Sequence, residues 1–131
     1  MGDIPHGWAC AEYILLLRDM LLFEADDDGD RHMYVLPGIA PEWFGSGRIR
    51  VQNARTAFGG PMDLEARHDP GSRRIELQIH RAPAADVRYV FRTPFGGRIS
   101  AATADGRAVT PSGRHVSLPA GTHSATIDYQ Q

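Results

Sequence analysis

Four groups of residues invite a chemical reading. Asp26, Asp27, Asp28 and Asp30 surround Gly29, and oxygen-rich clusters of this kind can hold calcium. The spacing does not fit that role. With Gly29 at the sixth position of an EF-hand loop, the first position falls on Glu24 and the twelfth on Val35, where a bidentate Glu is required. A solvated acidic turn accounts for the cluster. Asp63 and Glu65 stand two apart, so on a strand they share one face. Paired carboxylates are how glycosidases divide acid and base roles. Alternation with Met62, Leu64 and Ala66 instead explains both as solvent-facing positions. The histidines His6, His32, His68, His80, His115 and His123 show no metal-ligand spacing, and Cys10 is the single cysteine. Trp8, Tyr34, Trp43, Phe44 and Phe58 suit stacking on sugar rings, and equally suit anchoring a core or an interface. Trp43, closely following Pro41, is expected to plug a seam between helix and sheets. There is no G-x-S-x-G, phosphate loop or Cys/His arrangement. No catalytic residue, metal or cofactor is assigned.

The elements that must position these residues divide into two textures. Trp8 to Phe23 reads as one helix, led in by Pro5, His6 and Gly7, with Asp3 or His6 as cap. Leu, Met, Ala and Glu dominate it. Asp26-Asp27-Asp28-Gly29 is expected to end it, with Gly29 left-handed. At ~100° per residue, Cys10, Ile14, Leu17 and Leu21 form one apolar stripe, and Trp8, Leu15 and Leu22 form a second. A single sheet layer covers one stripe, with Cys10 expected as a buried structural thiol. The second stripe needs another partner. From Met33 onward the chain alternates. Met33–Leu36 is a strand, Pro41–Phe44 a helical turn with Pro at its start, and 48–52 a strand. Met62, Leu64 and Ala66 pair across "DPGS" with Ile75, Leu77 and Ile79. Val87, Tyr89 and Phe91 follow, and Asp105-Gly106 signals a tight hairpin. Val116 and Leu118, then Ala125, Ile127 and Tyr129, point inward. The predicted fold is mainly β: an antiparallel β-sandwich with one long N-terminal α-helix and a short helical turn near Trp43. Residues 1–30 form the helix and acidic turn, and 31–131 the sandwich.

Composition narrows the function classes. Fourteen basic residues against 16 acidic ones leave a net charge of −2, without the clustered basic patch that nucleic acid requires. Every basic residue is Arg, which reads as GC-rich coding. The start lacks the charged n-region and cleavage site of a signal peptide. Glu12, Arg18 and Asp19 interrupt the apolar run, so no membrane span is expected. The compartment is left open, cytoplasmic by default.

The order of elements carries a resemblance. "PHGWACAEYILLLRDML", then "MYVLPGIAPEWFGSGRIRVQNARTAFGG", then "ISAATADGRAVTPSGRHVSLPAGTHSATIDY" resembles the C-terminal end of an (α/α)6-barrel, or six-hairpin, glycoside hydrolase. There the last barrel helix runs into a β-sandwich tail. The resemblance implies sugar-polymer hydrolysis for a full-length relative, with catalytic carboxylates on earlier barrel helices and loops. For this chain it implies a non-catalytic accessory domain, truncated or separately encoded. His6 and Trp8, in "PHGW", are the sugar-contact positions it carries over, and Trp43 is a third candidate from its aromatic character. Two alternatives stand beside this reading: a stand-alone carbohydrate-binding module, and an oligomeric interaction protein. The expected partner is a second copy of the chain through Trp8, Leu15 and Leu22, or missing barrel helices, with carbohydrate as a further possibility.

Overall fold

Alternation of apolar and polar residues builds most of this protein, because successive strand residues face opposite sides of a sheet. The computed structural model describes residues 7–130. Helix α1 (Gly7–Leu21) leads into strands β1 (Leu22–Asp27), β2 (Asp30–Val35), β3 (Arg48–Arg55), β4 (Pro61–Asp69) and β5 (Arg74–Arg81). These are followed by β6 (Arg88–Arg92), β7 (Arg98–Ala104), β8 (Arg107–Val109), β9 (His115–Leu118) and β10 (Ser124–Gln130). A 3-10 turn over Pro41–Phe44 separates β2 from β3. One sheet has the order β1-β2-β6-β9 and the other β3-β4-β5-β10-β7-β8. All pairs are antiparallel except β2 with β6. The architecture is therefore mainly β and of the sandwich class, with a helix at its N-terminal end.

Each sheet contributes alternate residues to one core. Met33, Val35, Tyr89, Phe91, Val116 and Leu118 come from the four-stranded sheet. Leu64, Ala66, Ile75, Leu77, Ile127 and Tyr129 come from the six-stranded sheet. All of these are buried, and the outward residues between them are mostly polar. Phe44, at the end of the 3-10 turn, joins the core. Trp43 beside it is 39% exposed, so Phe44 and not Trp43 is the buried aromatic of the turn.

The helix ends earlier than its composition suggests. It stops at Leu21, and Leu22 and Phe23 already belong to β1, paired with Val35 and Tyr34. The acidic turn is therefore a β-hairpin rather than a helix terminus. Asp28 and Gly29 have φ of 53° and 89°. Two consecutive positive φ values are what a tight two-residue hairpin demands and what Asp-Gly supplies. Asp105-Gly106, between β7 and β8, repeats the device at 46° and 77°. The helix end is satisfied by tertiary contact. Leu36 N–H donates to the Leu21 carbonyl at 2.7 Å, and Gly38 N–H to the Met20 carbonyl at 3.0 Å. These bonds occupy two of the carbonyls that a helix C-terminus leaves without intrahelical donors.

Candidate interaction surface

Burial on α1 varies along its axis rather than around it. No residue of α1 is buried. Residues 7–16 are all exposed, while 17–21 are half-buried against the sandwich. At 1.5 Å rise per residue the helix is about 22 Å long, and its N-terminal two-thirds extends away from the sheets. Both apolar stripes are largely exposed over that length. Trp8 is 70% exposed, Tyr13 62%, Ile14 65%, Leu15 51% and Leu16 57%. Cys10, expected to be buried, is also exposed. Leu22 differs from its stripe partners: it is fully buried, so it is a core residue and unavailable to an interface. Trp8 and Leu15 remain on the surface. His6 lies outside the described residues.

The inner end of α1 is fastened by polar contacts that its apolar pattern does not reveal. Arg18 bonds Glu24 and Asp19 and donates to the Arg55 carbonyl at 3.2 Å. Glu24 in turn accepts from Ala57 N–H at 2.9 Å. The Glu24 hydrogen bond is the main reason the Arg18 guanidinium is held above its ordinary pKa. Helix, β1 and the β3–β4 loop are thereby tied together. That loop borders an open cleft of about 340 Å³ lined by Asn53, Arg55, Thr56, Ala57, Gly59, Gly60 and Pro61.

The carboxylate pair on β4 is arranged against acid–base work. Glu65 lies on the outer face, yet it is only 3% exposed, because Arg50 and Arg67 fold over it. Arg50 donates to Oε2 from Nε (2.9 Å) and Nη2 (2.7 Å), and Arg67 Nε donates to Oε1 at 2.6 Å. Hydrogen bonds from Arg67 and then Arg50 pull its pKa down to about 2. Asp63 accepts Asn53 N–H and Arg81, and those bonds lower its pKa too. A general acid needs the opposite shift.

An aromatic cluster that the spacing did not announce closes one end of the sandwich. His68 stacks on Phe95 with ring centres 4.1 Å apart, and Phe95 stacks on Tyr129 at 4.8 Å. Phe44 lies against both His68 and Phe95. His68 Nε2 and the Tyr129 hydroxyl share a 2.8 Å hydrogen bond. Burial lowers the His68 pKa and raises that of Tyr129. The acidic hairpin is spent on local pairing: Asp26 accepts Gly29 N–H at 2.8 Å and Asp30 bonds Arg88. Among the described residues no three His, Cys, Asp or Glu side chains come together as a metal site, and no helix is long and apolar enough to cross a membrane. Comparison with known proteins finds no matching family model, no matching curated protein and no matching solved structure.

Proposed function

We propose that this protein is a non-catalytic structural module whose α1 docks against other helices. It would be an accessory β-sandwich of the kind that follows the helical barrel in six-hairpin glycoside hydrolases. The observation that supports this is the exposure of Ile14, Leu15 and Leu16 on a helix that is half-buried at its inner end. A helix of 15 residues is marginal in water without packing, since isolated helices shorter than ~12–15 residues barely form. An apolar patch of this kind belongs to an interface.

A second copy of the chain is the simplest partner, because a two-fold pair covers both patches at once. Light scattering on purified protein at micromolar concentration is expected to give twice the chain mass. Leu15→Glu is expected to give the single-chain mass with an unchanged β-sheet signal by circular dichroism. A wild-type monomer would remove the self-pairing reading. Turnover across a glycoside panel that disappears in Asp63→Asn or Glu65→Gln would remove the non-catalytic one. Exposed Trp43 favours a second reading, carbohydrate binding, which a glycan array with Trp43→Ala checks by loss of signal.

A further inference from the structure

A small cleft beside the end of β2 is lined by two residues, Thr93 and Arg114, with buried polar groups that the fold leaves unpartnered. It has a volume of about 130 Å³ and is lined by Leu36, Pro37, Ile39, Arg92, Thr93, Pro94 and Arg114. One wall follows β2, and the other runs from the end of β6 to the residue before β9. Thr93 is 0% exposed, and its hydroxyl has no hydrogen-bond partner. Arg114 donates from Nη2 to the Thr93 carbonyl at 3.0 Å and to the Phe95 carbonyl at 3.3 Å. Its Nε–H is buried and unpartnered. Thr93 N–H donates to the Arg114 carbonyl at 3.0 Å, so the two residues hold each other in place.

The charge is also unbalanced. No carboxylate lines the cleft. Seven of the 14 arginines find an acidic partner: Arg18, Arg31, Arg50, Arg67, Arg74, Arg81 and Arg88. Among the described residues, Arg92 and Arg114 form no salt bridge. A guanidinium stays charged at any ordinary pH. A buried N–H left without an acceptor is costly, and buried polar groups are rarely left so. The space exceeds the ~10–15 Å³ of probe volume that one water needs.

We propose that this cleft binds one oxyanion group, a carboxylate or a phosphoryl group. Arg114 Nε and the Thr93 hydroxyl donate to its oxygens, and Arg92 balances its charge from the rim. Guanidinium and hydroxyl donors suit an acceptor-only ligand, the pairing that favours carboxylate and phosphate. The site is separate from the docking role of α1 and stands without it.

Thermal unfolding in sodium acetate and in sodium phosphate, each against sodium chloride at equal ionic strength, tests the proposal. At least one anion is expected to raise Tm saturably, by about 5 °C at ten times its Kd. The acetate arm reports a carboxylate ligand and the phosphate arm a phosphoryl one. Thr93→Val keeps the side-chain shape and removes one donor, and it is expected to weaken binding about 10-fold or more. Arg92→Gln, on the exposed rim, is expected to weaken it as well, and it does not depend on core packing. No saturable rise over chloride with either anion would overturn the proposal. So would a rise that persists unchanged in both variants.

Discussion

At the scale of single residues, Glu65 shows how placement on a face and exposure can part company. Alternation puts it on the outer face of β4, and two arginines then bury it there. Its pKa falls from an ordinary 4.5 to about 2. A carboxyl depressed in the folded state adds stability above its unfolded pKa, and that stability is lost as pH falls through the folded value. Acid unfolding of the wild type is therefore expected to steepen between about pH 4.5 and 2. Glu65→Gln is expected to flatten that part of the curve, as measured by denaturant midpoints across the pH series. Tyr89 presents the converse case, with a fully buried ring and an unpartnered hydroxyl. Tyr89→Phe removes a buried polar atom that makes no hydrogen bond. The chemical denaturation midpoint is expected to hold or rise, by up to about 1 kcal/mol in stability.

At the scale of elements, the junction of α1 with β1 is decided by contacts from a distant loop. The helix formers continue to Phe23, but the helix stops at Leu21, where Leu36 and Gly38 take its last carbonyls. Gly38 is required there by space. A Cβ at that position would lie 2.7 Å from Met20 Cγ and 2.9 Å from Met20 Cα. Backbone cannot yield as a flexible side-chain tip does, so Gly38→Ala must push the helix off the sandwich. A loss of about 1–3 kcal/mol is expected, read from urea midpoints, together with faster amide exchange at Leu21 and Leu36. The acidic hairpin teaches a related lesson. Asp28-Gly29 carries the same two-residue signal as Asp105-Gly106. It was obscured because an acidic run after a helix also reads as a helix stop.

At the scale of the whole molecule, the protein is a well-packed sandwich with a helix that shares little of its core. The outer residues of α1 are exposed, so they sit at the low-stability end of the structure. Hydrogen exchange is expected to show residues 7–16 exchanging far ahead of β4, β5 and β10. Slowing of that segment with rising protein concentration would accompany self-pairing. Local periodicity was enough to reveal the strands from β2 onward, the hairpins at "DPGS" and Asp105-Gly106, the short helical turn and most inward residues, but not β1, whose first residues read as helix. These features depend on neighbours in the chain, and an alternation of period two carries its own face assignment. Long-range placement was hidden. The parallel pairing of β2 with β6, the Phe44–His68–Phe95–Tyr129 cluster and the burial of Glu65 join residues far apart in sequence. The helix was legible as apolar on more than one side, and sequence alone determined that it would not be satisfied by one sheet. Only the tertiary structure decided that the sandwich holds its last turn and leaves the rest exposed. The reason is geometric: burial of a helix depends on where its axis meets the sheets, and no angular pattern of side chains encodes that point.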